Sequence, residues 1–276
     1  AAGVHISALL EYKNFKLIEN CCVNKIVGRD CGAVGVTDQN GEHFFAPVLL
    51  MATGVLNTTA LLMEYSGRLN SANRLYSNPA FAYALYVTGN KNPVYSDNGF
   101  ALAQLIIDGV TKENDIKFVS PLYSPREIPA DVIANYMPFK KFFGRAFGRF
   151  VQRHFLIGTV YLPASLSQNY ISLSRNACKK IISIDGKTSS KAKAAIAEVK
   201  AHLRRELSKL GAHIVPGSVK ILQPGADIHH RGTLPMGKDD SLATDKHCRL
   251  NFDRRIYVLD SSWLASGSEK HSGLTI

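Results

Sequence analysis

No stretch of this 276-residue sequence approaches the roughly 18 consecutive apolar residues that a membrane-spanning helix needs, so no such helix is expected. The five cysteines (Cys21, Cys22, Cys31, Cys178 and Cys248) form no C-x-x-C pair and no metal-like cluster with histidine. An odd, scattered set favours reduced structural thiols and a cytoplasmic-type compartment over a disulfide framework, and no metal site is expected. Internal repeats and low-complexity segments are lacking too. The chain does not begin with Met and carries no signal-peptide pattern, so its first residues speak neither for secretion nor against it. Glycines are plentiful, yet none is arranged as a strand, G-x-G-x-x-G and a helix; GVHIS and GRDCG lack the spacing.

Acidic residues are the scarce charge: 22 Asp and Glu against 33 Lys and Arg, a formal net charge of +11. Much of the excess lies in 135–155, where Lys141, Arg145, Arg149 and Arg153 recur every four residues. Phe139, Phe142, Phe143, Phe147 and Phe150 occupy much of the remaining surface of that helix. The plain reading is a helix that packs its phenylalanines inward. Peripheral contact with an anionic membrane surface is the alternative, and nucleic acid is not expected as a partner.

The apolar content, 46%, is enough for a sizeable core and for two domains. Residues 16–26 and 32–37 are β-rich, 38–41 (DQNG) is a turn, and the apolar run 44–52 ends at Gly54. A strand entering a glycine and then a helix suits close approach of backbone to a cofactor. Residues 78–89 and 99–109 read as strands joined by a Gly/Asn/Pro turn, with two more strands at 154–163 and 168–174. A long helix is expected over 188–210. Ser189 or Ser190 caps it, Ala195, Val199, Leu203 and Leu207 or Leu210 form its apolar stripe, and Gly211 ends it.

The chemistry-bearing pieces gather in the last fifty residues: IHHRGTLPMG at 228–237, RRIYVLDSSWLASGS at 254–268 and HSGLTI at 271–276. Two histidines delivered by separate segments suit proton transfer near neutral pH, where imidazole titrates. Taken alone, His229 reads equally as a buried histidine satisfying carbonyls, His271 as a loop histidine, and Asp260 as a turn cap. His230, next to His229, points elsewhere if the segment is extended.

In their order these pieces resemble the C-terminal part of the glucose-methanol-choline (GMC) oxidoreductases. His229, Gly232, Thr233, Met236 and Gly237 match the pattern H-x-x-G-T-x-x-M-G, and Asp245 and Arg249 match D-x-x-x-R. Ile256, Tyr257, Val258, Asp260 and Ser262 match L-Y-V-x-D-x-S, and His271, Thr275 and Ile276 match the last pattern. Residues 16–27 and 32–63 resemble the middle of that family's flavin domain.

The resemblance implies an α/β, Rossmann-like flavin-binding domain, partial here, from 1–78 and 222–276. An inserted α+β substrate domain with an antiparallel sheet would span 79–221. It implies FAD as cofactor and a small-molecule alcohol as substrate, oxidised by hydride transfer to the flavin. His229 would be the base and His271 the partner that holds the substrate oxygen. Val23, Ala52, Thr53 and Gly54 would lie near the adenosine half of FAD, and Asp260 and Ser261 near its ribityl and phosphate region. Ser272 and Gly273, standing where the family often has proline, join the cofactor-binding residues. The family's usual glycine fingerprint would make this a piece truncated at both ends, inactive alone and weak in FAD binding. The competing expectation is a non-catalytic remnant, a partner-binding or peripheral membrane domain that keeps the fold without the cofactor.

Overall fold

The structure, a computed structural model, describes residues 2–28, 32–88, 103, 105–124, 154–176, 179–226 and 229–264. The basic segment 135–153 and the tail 265–276 with His271, Ser272 and Gly273 lie outside the described residues. After an N-terminal helix, α1 (Ala2–Leu9), the chain forms an antiparallel three-stranded sheet of β1 (Val23–Gly28), β2 (Val34–Asp38) and β3 (His43–Ala46). Residues 16–22, expected to open the first strand, precede it; Asn20 has φ 54, which interrupts extended backbone. The predicted turn at 38–41 joins β2 to β3. Buried Asp38 accepts from the backbone N–H groups of Asn40 (2.8 Å) and Glu42 (2.9 Å), an Asx-type lock on that turn.

From there the chain enters β4 (Leu49–Met51), the turn 52–54 and α2 (Val55–Tyr65), followed by β5 (Ala72–Leu75) and β6 (Ala80–Val87). Next come β7 (Leu105–Val110), β8 (Lys117–Tyr123), β9 (Phe155–Tyr161), β10 (Gln168–Asn176) and β11 (Lys179–Lys187). The long helix α3 (Ser190–Lys209) precedes β12 (Ala212–Ile214), β13 (Lys220–Ile221) and β14 (Ile256–Val258).

Most of the middle of the chain builds one antiparallel sheet of order β12-β6-β9-β8-β7, with β13 also on β6. The strands at 78–89 and 99–109 therefore do not form a hairpin: β9 and β8 lie between them. Helix α3 covers this sheet. Ser189 is its N-cap, its hydroxyl accepting from Ala192 N at 3.0 Å, and Gly211 follows its end at φ 70. Ala195, Ile196, Val199, Leu203 and Leu207 are buried against Phe81, Tyr83, Phe118 and Val160, whereas Leu210 is exposed. Leu207 completes the i, i+4 stripe and Leu210 falls past the last turn. Opposite Tyr83 stands Gly158, where a methyl group would meet the phenol ring at 2.3 Å.

A second core gathers Ile26, Met51, Leu62, Leu234, Leu250, Ile256 and Val258. Leu173 of β10 joins it, and β10 pairs with β5 and β11 in a further antiparallel sheet. Among the named strands, parallel pairing is confined to β14 with β4, residues some 200 positions apart in sequence. The architecture is mixed α/β with several antiparallel sheets.

Candidate functional site

The parallel pair β4 and β14 determines which turns become neighbours. Parallel strands end at the same edge, so the segment after Met51 (Ala52, Thr53, Gly54) and the segment after Val258 (Leu259, Asp260, Ser261) emerge side by side. The ladder runs on past both strands: Leu49 N donates to Arg255 O at 3.0 Å and Leu259 N to Met51 O at 2.7 Å. Ala52, Thr53 and Gly54 are exposed. Gly54 adopts φ 83 and ψ 148 directly before α2, and a methyl group built on it would meet nothing within 4 Å. Helix α2 begins without a side-chain cap, leaving N–H groups of its first turn unmatched by any side chain there.

Asp260 ties the two turns together. One carboxylate oxygen accepts from Ser262 N (2.9 Å) and the Ser262 hydroxyl, capping the 3₁₀ turn Ser261–Trp263. The other accepts from the Thr58 hydroxyl at 2.5 Å, and Thr58 meets Thr53 Oγ1 at 2.8 Å. Thr58 is fully buried on α2, so this bond joins the first turn of the helix to the end of β14.

The segment 229–237 runs along the same turn. Gly232 N donates to Ser261 O (3.1 Å), Leu234 N to Ser262 O (2.8 Å) and Met236 N to Trp263 O (3.0 Å). Ser261 Oγ donates to His230 O at 2.9 Å. On its other side Arg231 exchanges both backbone bonds with Tyr76, at 2.9 and 3.0 Å. Gly232 is required twice over. It has φ 73, and a Cβ there would sit 2.5 Å from the Tyr76 ring and 2.8 Å from Leu264 O. Buried Thr233 follows, its hydroxyl 2.6 Å from that of Thr59 on α2.

Of the residues expected to act, the structure thus brings Ala52, Thr53, Gly54, Asp260 and Ser261 to one place, where the segment starting at half-buried His229 also arrives. Val23 reaches the same neighbourhood by another route. It lines, with Thr53, Cys22, Asn57, Leu61 and Lys180, a cleft of about 550 Å³. The His229–His271 pair falls partly outside the described residues.

Several contributors escaped sequence reasoning. Thr58 and Thr59 are the joints of the site, and their signal was two adjacent hydroxyls inside the run 55–63, which apart from them and Asn57 is apolar. Arg231, almost fully buried, donates to Asn78 Oδ1, and Asn78 Nδ2 donates to Leu162 O at 2.6 Å. That chain fastens the histidine-bearing segment to the end of β9. The Asp245 and Arg249 motif is a loop clasp. Burial raises the Asp245 pKa, but the N–H groups of Arg249 and His247 and the Arg249 guanidinium outweigh this and pull it down to about 2.

No protein-family model matches the sequence, and no curated protein matches it. Among solved structures, pyridoxine 4-oxidase from Mesorbium loti is similar, with a TM-score of 0.60 at 16% identity. The likeness covers 95% of this chain and 56% of that one, so the chain spans little more than half the oxidase's length. At that identity the likeness is one of fold. This chain folds, at the coarse level, like part of that oxidase.

Proposed function

We propose that this chain forms part of an FAD-dependent alcohol oxidoreductase of the GMC kind. The observation that carries the reading is the convergence, at the common edge of β4 and β14, of the turn 52–54, the turn at Asp260 and Ser261, and the segment that starts at His229. Fold likeness to an oxidase supports it. On this reading, 1–78 with 222–276 form the flavin-side domain and 79–221 the substrate side. In support of that division, one main core is built from residues 81–214, and the other from residues 26–63 and 234–258 together with Leu173 from the substrate side.

The residues present suit the cofactor. The cleft beside Val23 and Thr53 falls in the 300–1,000 Å³ range of ligand pockets, and its lining mixes apolar residues (Val23, Leu61, Leu173) with polar ones (Asn24, Thr53, Asn57). Open space around Gly54 lets a ligand approach the backbone. Asp260 spends both carboxylate oxygens on Thr58 and Ser262, so its contribution is to fix the turn, with backbone groups left to meet the ligand. When bound, FAD supplies the acceptor for the two electrons of the alcohol.

The chain's own work is proton handling and orientation. The His229 imidazole takes the hydroxyl proton, and His271 holds the substrate oxygen in register. General-base help of this kind is worth roughly 10²–10⁴-fold. In the full-length gene product, His229→Ala is expected to slow alcohol-dependent bleaching of the flavin by that factor while the visible spectrum of bound FAD persists. Unchanged bleaching would remove His229 from the mechanism; a wild-type protein that binds no flavin would remove the reading altogether.

A further inference from the structure

A second cavity, about 180 Å³, is lined by Gly232 and Thr233, by β5 and by the loop that carries Lys238 and Asp240. Its charge is unbalanced. Asp240 is the acidic residue among its described lining residues, and Arg68 already neutralises it at 2.9 Å. Arg74 and Lys238 also line the cavity, and among the described residues neither forms an ion pair.

Arg74 is held unusually still for a cation without a counter-charge. Its guanidinium lies 5.3 Å from the ring centroids of both Tyr76 and Tyr170. Nη1 donates to Tyr170 Oη at 3.0 Å and Nη2 to Ser167 O, while Nε is buried without an acceptor among the described residues. A guanidinium has five N–H donors, so the protein satisfies fewer than half of them. Aromatic clamping holds the fork in place before a ligand arrives and reduces the side-chain entropy lost when an anion binds. The rest of the wall is apolar or neutral: Tyr76, Pro235 and Leu242, with the Asn73 amide turned to Thr233 O at 3.3 Å.

From this we infer that the cavity is a binding site for a small anion, a carboxylate or phosphate group carried on a compact organic body. Arg74 is the oriented anchor and Lys238 the mobile second charge. The volume is close to that of a cavity that admits a benzene-sized guest, which limits the occupant to a few more than six heavy atoms. The N–H groups that Nη1 and Nη2 keep beyond Tyr170 and Ser167 suit either anion, since guanidinium donates to carboxylate and to phosphate alike. The inference does not rest on the flavin reading, because it needs neither cofactor nor turnover.

Calorimetric titration of the chain with inorganic phosphate and, separately, with benzoate, at constant ionic strength set by chloride, tests it. At least one probe should bind saturably. Binding of phosphate alone identifies a phosphoester site, and binding of benzoate alone a carboxylate site. Loss of a charge-assisted bond in Arg74→Gln should weaken binding by about tenfold or more, and Lys238→Gln by a smaller factor. Ala72→Trp, on the exposed strand edge of the cavity, keeps both cations but fills the space and should abolish binding. If circular dichroism shows Arg74→Gln unfolded, the Lys238→Gln and Ala72→Trp titrations decide. The inference is overturned if neither probe saturates, or if Ala72→Trp binds as the unaltered chain does.

Discussion

The sheet under α3 and the junction at β4 and β14 are built on different principles. Beneath α3, large apolar side chains (Phe81, Phe118, Val160, Leu203) meet across regular elements, and the order comes from pattern repeated over many residues. At the junction, three short segments from distant parts of the chain are held by individual atoms: the hydroxyls of Thr58, Thr59 and Thr233, the carboxylate of Asp260, and the missing Cβ of Gly232. The first region gains stability in proportion to area. The second gains geometry from a few directional bonds, and that is what a ligand site requires.

Mutations should separate the two regimes. Phe81→Ala empties a large volume in the α3 core and is expected to cost about 3–5 kcal/mol, read from the urea midpoint at unchanged slope. A loss below about 1 kcal/mol would mean that this core collapses around the gap and is not packed as described. Gly232→Ala combines a left-handed backbone with a clash against backbone oxygen, and about 2–4 kcal/mol is expected. Near-wild-type unfolding of that variant would show that the junction is looser than the sheet.

Thr58→Val keeps shape but removes the donor to Asp260, for which about 1–3 kcal/mol is expected. Pairing it with Asp260→Asn in a double-mutant cycle should show coupling; strict additivity would deny the bond. The smallest effect belongs to the Asp245 clasp. Its folded pKa, about 2, lies below the ordinary aspartate value of 3.8, so the unfolded chain binds more protons between those values. Its contribution is therefore complete above pH 3.8 and fades as pH falls toward 2. Asp245→Asn should flatten that stretch of the acid-unfolding curve, and an unchanged slope would rule out the clasp.

Legibility in the sequence follows the same divide. The cap at Ser189, the stripe Ala195, Val199, Leu203, Leu207 and the stop at Gly211 were readable because helical period and caps are local. So were the turn at 38–41 and the strands around 80–87, 155–161 and 168–174. The order of β6 and β7 was not readable, because hydrophobic pattern does not name a strand's partner. At the site, the glycines and Asp260 stood out by motif. Arg231 in its buried bond to Asn78, and Arg74 in its contact with Tyr170, were not readable, because each depends on a partner tens of residues or more away.

Residue pattern alone, then, determined the elements, the apolar faces that must be buried, and the short segments rich enough in His, Asp and Gly to be worth comparing with known enzymes. Tertiary structure decided which of those segments meet. It set β14 beside β4 and so placed 52–54 next to Asp260, and it left Arg74 and Lys238 lining a cavity whose described acidic residue, Asp240, is already paired with Arg68. The reason is one of range: helix periods and turn preferences act over a few residues, whereas a parallel strand pair closes a loop of some two hundred and leaves no trace in either strand of where the other will be.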